Sequence, residues 1–185
     1  MYKDTCLIWI DLEMTGLNIK FNHIIEISTI ITDQYLNIID EGPSITIFQP
    51  KENLLSINKW SMHQHTKSGL LDKVVRSRVS VKEAEEKTIN FLKKNNIKKG
   101  CSPMCGNSVY QDRKFLAKYM KNLDSYFHYR LLDVSTIKEL VFRWYPNLKI
   151  FKKKKMHTAL YDIKESINEL KFYQKHIFIP IKKNI

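Results

Sequence analysis

Four carboxylates and one imidazole could do chemistry together in this 185-residue chain. Asp11 and Glu13 lie two apart, just after the apolar run Leu7-Ile8-Trp9-Ile10. In an extended chain residues i and i+2 point to the same side, so both acids can face one ion. Hard divalent cations such as Mg²⁺ or Mn²⁺ take oxygen ligands of this kind. A solvated strand end has the same pattern, so the pair alone does not decide. Asp112 follows a predicted strand and opens a predicted helix, where an acid also suits free backbone amides. Asp162 stands at the edge of the apolar stripe of the last predicted helix, directed at the domain rather than at open water. His157 precedes that helix. Its ordinary pKa near neutrality suits a proton acceptor, although a histidine near a helix start is more often a polar surface residue.

The elements that must position these groups are legible from patterning. Residues 7–11, 24–32 and 37–48 read as strands, the second rich in β-branched residues and the third broken by Gly42-Pro43. They suit an antiparallel three-strand meander. Ser80 and Glu83 form a capping-box pattern, followed by Val81, Ala84, Thr88, Phe91 and Leu92 at helical spacing. Residues 103–106 suggest a short buried strand before a helix carrying Phe115, Leu116, Tyr119 and Met120, and residues 131–134 a final strand. Thr136 and Glu139 make a second capping-box pattern, with Ile137, Leu140, Val141 and Trp144 as a stripe. A last helix is predicted over about residues 158–175, with Ala159, Ile163, Ile167 and Leu170 inward. Strands first and strand–helix alternation afterwards predict an α/β domain with a mixed sheet. Residues 149–156, with four consecutive lysines, and the tail 181–185 are expected to be mobile.

Composition bounds the answer without settling it. Hydrophobic residues make up 43% of the chain, enough for a packed core. No run of about 18 apolar residues exists, so no membrane span is expected. The first apolar run is too short for a signal-peptide core. Cys6, Cys101 and Cys105 show no paired metal spacing and read as buried thiols of a reducing, cytoplasmic compartment. The net charge of +12 invites a phosphate-binding reading, yet only five of the 31 basic residues are arginine. That lysine bias also follows from an AT-rich genome.

Taken together and in order, Asp11-x-Glu13, Asp112 and His157-x-x-x-x-Asp162 resemble the DEDDh exonucleases, a family with a ribonuclease-H-like fold. The segments Trp9-Ile10-Asp11-Leu12-Glu13-Met14-Thr15-Gly16-Leu17, Cys105-Gly106-Asn107-Ser108 with Gln111-Asp112-Arg113, and Phe127-His128-Tyr129-Arg130 running into Leu132-Asp133-Val134-Ser135-Thr136 are similar to oligoribonucleases. The similarity spans about residues 7–176.

The resemblance implies a ribonuclease-H-like mixed five-stranded sheet flanked by helices. It implies one exonuclease domain over residues 1–180 and a flexible tail at 181–185. Two divalent cations, Mg²⁺ or Mn²⁺, would be held by Asp11, Glu13, Asp112 and Asp162, with His157 as general base. The substrate would be short single-stranded RNA, dinucleotides especially, cut from the 3′ end to 5′-mononucleotides. Ser108, Arg130, Ser135 and Thr136 would cap its 5′-phosphate, Leu17 would wedge between bases, Trp60 would line the base pocket and His65 would contact substrate. Tyr129 would reach the neighbouring subunit of a homodimer. Tyr110, Tyr161 and lysines 152–155 depart from the oligoribonuclease pattern and put rate and metal affinity in question. Two rivals stand beside this reading: a DEDDh-type DNA exonuclease, and a non-catalytic RNA-binding module that kept the fold. The capping residues argue against the first, and retention of all four acids with His157 argues against the second.

Overall fold

A computed structural model describes residues 6–148, 151 and 158–178. His157, lysines 152–155 and the tail 181–185 lie outside the described residues. Strand β1 (Leu7–Met14) pairs antiparallel with β2 (Ile24–Thr32), which pairs antiparallel with β3 (Ile38–Glu41). The expected meander is present. Gly42-Pro43 splits the third stretch, and the remainder forms a two-residue strand β4 (Ile45–Thr46) on β2. On the other side of β1, β5 (Met104–Gly106) and β6 (Leu131–Asp133) add in parallel, giving the path β3-β2-β1-β5-β6. The sheet is therefore the expected mixed five-stranded path, with β4 as a small addition off β2.

The parity of β1 decides everything about the site. Ile8, Ile10 and Leu12 point into one core, shared with α4 (Val81–Lys94) and α5 (Tyr110–Tyr119). Trp9 points into the other, shared with Ile30 of β2, Val134 of α7 (Val134–Trp144) and Ile163, Ile167 and Leu170 of α8 (Ala159–His176). Odd-numbered residues of β1 thus face α8, and period-two alternation carries Asp11 and Glu13 to that same face. All nine residues of β2 are buried, as a central strand covered on both sides requires. Gly106 has a packing reason: a Cβ there would press on the Ile10 carbonyl oxygen at 3.1 Å and on Val109, so glycine lets β5 lie close against β1 without displacing either.

Helices α1 (Lys51–Leu54), α2 (Lys59–Lys67) and α3 (Leu70–Arg76) follow β4, and α6 (Lys121–Asp124) follows α5. The Ser80–Glu83 capping box forms, with the Ser80 amide donating to Glu83 Oε2 at 2.7 Å and the Glu83 amide to Ser80 Oγ at 3.2 Å. The second capping box does not. The chain passes from β6 into α7 without a loop, so Asp133, the last strand residue, is the N-cap and accepts from the Ser135 amide at 3.0 Å. Of the predicted α7 stripe, Ile137 and Val141 pack on the core, while Leu140 and Trp144 stay exposed. Cys105 is buried as expected, whereas Cys6 and Cys101 are only partly so. No described helix is long and apolar enough to cross a membrane.

Glu85 of α4 is buried and accepts the amides of Asn122 at 2.7 Å and Leu123 at 3.0 Å, capping α6 from another helix. Glu85→Ala should destabilise the fold by about 1–3 kcal/mol, the cost of stranding buried donors. Urea unfolding followed by circular dichroism reads this, and a change below about 0.5 kcal/mol would show the contact to be dispensable.

Candidate active site

Asp11 and Glu13 on β1 and Asp162 on α8 each place a carboxylate oxygen within 4.8 Å of the others. Asp162 gets there because Ile163 and Ile167 seat α8 on the sheet face that the two β1 acids share. Asp112, in the first turn of α5, is buried, and its Oδ1 accepts the backbone amide of Leu12 at 3.0 Å. That bond fixes α5 to β1 between the two β1 acids. All four predicted acids therefore converge on the end of β1, three in a tight cluster and Asp112 tied to the strand between them.

Burial and neighbouring negative charge both oppose ionisation here. The Glu13 carboxyl is pushed up to about 8, first by burial and then by Asp162, Glu26 and Asp112. Burial also pushes Asp112 up to about 7, against the opposing bond from Leu12, and the nearby charge of Asp133 adds to the rise. Carboxyls that resist ionising because they are buried and crowded are ones that a cation would relieve.

The remaining predicted residues fall into separate groups. His65 on α2 is buried, with Nε2 3.0 Å from the Met14 carbonyl oxygen and Nδ1 3.8 Å from Glu13 Oε2. It stands against the acid cluster rather than on an open wall. Leu17 and Trp60 are exposed, at 61% and 64%. The loop after β1 that carries Leu17 and the start of α2 that carries Trp60 come together at Gly16, where a Cβ would meet Asn22 Oδ1 at 2.7 Å and Asn58 Nδ2 at 3.0 Å.

Ser108 and Ser135 are joined by a residue that the sequence reading did not single out. Asp133 Oδ1 accepts from the Ser108 amide at 2.9 Å, the Ser135 amide at 3.0 Å and Ser135 Oγ at 2.5 Å. Ser108 takes left-handed backbone angles (φ 51°) to present its amide there. Thr136 follows on the exposed first turn of α7, beside a shallow cleft lined by Tyr110, Leu132, Asp133 and Ile137. Asn107 anchors the same loop from behind, donating to Ser166 Oγ at 2.8 Å and to buried Glu169 Oε2 at 3.1 Å. Arg130 precedes β6, its backbone about 10 Å from that of Asp133 by strand rise, with its guanidinium 5.3 Å from the centre of the Tyr129 ring.

A raised carboxyl pKa means that the folded protein holds a proton the unfolded chain has already released. Stability is then lost as pH rises from the ordinary Glu value of 4.5 towards about 8. In chelator, the melting temperature should therefore fall across that window, and Glu13→Gln should flatten the fall. Added Mn²⁺ should raise the wild-type melting temperature most at the alkaline end. An unchanged pH slope in Glu13→Gln would remove Glu13 as its source.

Comparison with known proteins follows this geometry closely. The exonuclease family model named RNase T matches residues 8–170. The oligoribonuclease of Buchnera aphidicola subsp. Schizaphis graminum is 58% identical over 95% of either chain. That of Pasteurella multocida is 56% identical over 95% of either chain, and that of Legionella pneumophila strain Corby is 56% identical over 100% of this chain and 99% of its own. Among solved structures, exonuclease I superposes with a TM-score of 0.70 at 12% identity, over 93% of this chain and 41% of that one. E. coli exonuclease I in complex with a 5cy-dT13 oligonucleotide gives 0.67 at 10% identity, over 95% and 42%. This chain thus spans about two-fifths of exonuclease I, and the likeness speaks to the fold alone. With its acids in place and relatives of this identity over nearly its whole length, the chain belongs to the RNase T exonuclease family and, within it, to the oligoribonucleases.

Proposed function

We propose that this chain, as a single exonuclease domain over residues 1–180, hydrolyses very short RNA from the 3′ end, dinucleotides above all, and releases 5′-mononucleotides. The observation that carries the reading is the meeting of Asp11, Glu13 and Asp162 within 4.8 Å. The donor set fits hard divalent cations: it is all oxygen, anionic and mounted on rigid elements. Asp11, Glu13, Asp112 and Asp162 would hold two ions, Mg²⁺ or Mn²⁺. Such ions, when bound, lower the pKa of water and neutralise charge on a leaving oxygen.

His157 takes the proton of the attacking water as general base. His65 braces Glu13 and the Met14 carbonyl next to the substrate. Leu17 and Trp60 offer apolar surface to the bases. A binding module without catalysis has no use for repelling acids held this close.

Length selectivity follows from the sheet. Strands β1, β5 and β6 are neighbours, so Asp11 and the first turn of α7 lie about two strand spacings apart, ~10 Å. That leaves room for one nucleotide with its flanking phosphates. Ser108, Ser135 and Thr136 close the far end with hydroxyls, next to the N-terminus of α7, which favours an anion. A terminal 5′-phosphate suits this wall, and an internal phosphodiester has to pass it.

Arg130 completes the wall from a second subunit, together with Tyr129, over which it stacks. Tyr129 is 75% exposed and Trp144 67% exposed, and Leu131 on the edge strand β6 and Leu140 beside Trp144 on α7 are exposed as well. An apolar surface of this extent suits a homodimer interface. The free thiols fit a cytoplasmic setting.

Incubation with 5′-labelled RNAs of about two to ten nucleotides and Mg²⁺ or Mn²⁺ tests the activity. Dinucleotides should be consumed fastest, and His157→Ala should slow turnover by roughly 10²–10⁴-fold while dinucleotide binding persists. Equal rates at every length would sink the capping wall, and full activity in His157→Ala would sink the base.

Light scattering of the eluting protein tests the assembly. Wild type should run at twice the chain mass and the Leu140→Glu, Trp144→Glu double variant at the monomer mass, with its circular dichroism unchanged. A wild-type monomer at micromolar concentration would remove the dimer and, with it, the shared role of Tyr129 and Arg130.

A further inference from the structure

Glu26 has no place in the ligand set, yet it is buried next to it. It is 7% exposed, stands opposite Glu13 in the β1–β2 register, and lies on the sheet face covered by α8. Its Oε2 accepts the backbone amide of Ala159, the first residue of α8, at 3.3 Å and across 133 residues of sequence. A helix start leaves amide donors without intrahelical partners. A Ser or Thr side chain at the N-cap is the common acceptor, but Thr158, in that position with extended backbone angles, makes no side-chain capping bond. Helix α8 draws an acceptor from β2 instead. The positive end of the helix dipole in turn offsets part of the cost of burying a carboxylate beside Glu13.

Asp162 is the fourth residue of α8, within one turn of the tethered amide. Ile163 and Ile167 hold the body of the helix on the sheet, but apolar contacts are non-directional and tolerate a small slide or rotation of the first turn. A hydrogen bond to a buried strand residue does not. A shift of about 1 Å there is enough to spoil a site that needs its groups placed to within roughly half that distance.

We propose that Glu26 is a positioning residue for the metal centre: its carboxylate pins the first turn of α8 to β2 so that Asp162 closes on Asp11 and Glu13. The inference rests on the reading of those three acids as metal ligands. A different role would follow if the negative charge of Glu26 were what mattered, through direct attraction of a cation.

Two near-isosteric variants separate the roles. Glu26→Gln keeps a carbonyl oxygen at the length needed to reach Ala159 and removes the charge. Glu26→Asp keeps the charge and falls short by one carbon–carbon bond, ~1.5 Å. Mn²⁺ binding to the full chain without substrate, followed by the resonance of free Mn²⁺, should stay at the wild-type level in Glu26→Gln. It should weaken about ten- to a hundredfold in Glu26→Asp, the usual scale for groups that orient ligands. Amide exchange at Ala159 should quicken in Glu26→Asp alone. The reverse pattern, loss in Glu26→Gln with retention in Glu26→Asp, would assign the effect to charge and overturn the proposal. Loss in both or in neither would overturn it as well. Asp162→Asn is the reference. If it loses Mn²⁺ while both Glu26 variants bind normally, positioning alone has failed; if it binds like wild type, the ligand reading has failed and takes the proposal with it.

Discussion

The cost of holding carboxylates out of water and close together at the end of β1 is the constraint around which the molecule is built. Three acids with oxygens within 4.8 Å of one another oppose folding until something positive joins them. A loop would relax and let them drift apart. Here each is mounted on an element that cannot: Asp11 and Glu13 on a central strand paired on both sides, and Asp162 on an eighteen-residue helix packed across that strand. The cost appears in the pKa of Glu13, and it is carried by two apolar cores, one on either face of the sheet. Strain of this kind is useful only where function needs it.

The same economy of charge recurs elsewhere. The chain has 31 basic residues and only 19 acidic ones, and several of the acids sit inside, accepting backbone amides from distant elements. Asp112 takes Leu12, Glu26 takes Ala159, Glu85 takes Asn122 and Leu123, and Asp133 takes Ser108 and Ser135. Each ties a helix start or a loop to an element far away in sequence. A carboxylate suits this task because it offers acceptors only, and because charged acceptors make the stronger hydrogen bonds. Carboxylates therefore do two jobs in this fold: those with amide partners hold the frame, and those crowded against one another form the candidate site.

The strand and helix order was legible in the sequence because each element is strongly periodic: β2 is nearly all β-branched, and α4 opens with a capping box. The four acids were legible as candidates, but D-x-E alone is equally a strand end, and the order of blocks along the chain separated the two readings. Local patterning failed where geometry overrode it. Thr136 matches a cap but lies inside α7, because Asp133 starts the helix straight from β6. Glu26, Asp133 and Glu169 were passed over, although each carried a signal: an acid within an otherwise apolar or hydroxyl-bearing strand, an Asp two residues before a Ser, and an acid inside a helix's apolar stripe. What sequence could not give was distance. Arg130 and Ser108 belong to one expected wall, and only the parallel pairing of β5 with β6 puts a strand's length between their backbones within the chain.

Helix α7 links the wall to the proposed dimer. Its first turn carries Ser135 and Thr136, and its last turns carry Leu140 and Trp144 together on one exposed side, with Phe142 exposed on another. Within the chain only Val134 of this helix is fully buried, whereas eight residues of α8 are. Self-contained packing therefore fixes the clustered acids firmly and the first turn of α7 less so. A partner covering the outer half of α7 would bury the rest of its apolar stripe, hold its first turn at a set distance from Asp11, and bring a second Tyr129 and Arg130 to close the wall. In the proposed dimer, bond cleavage would depend on one subunit's core and the choice of substrate length on assembly. Such a division would let the reaction centre stay rigid and place selectivity on a helix whose burial a single chain leaves incomplete.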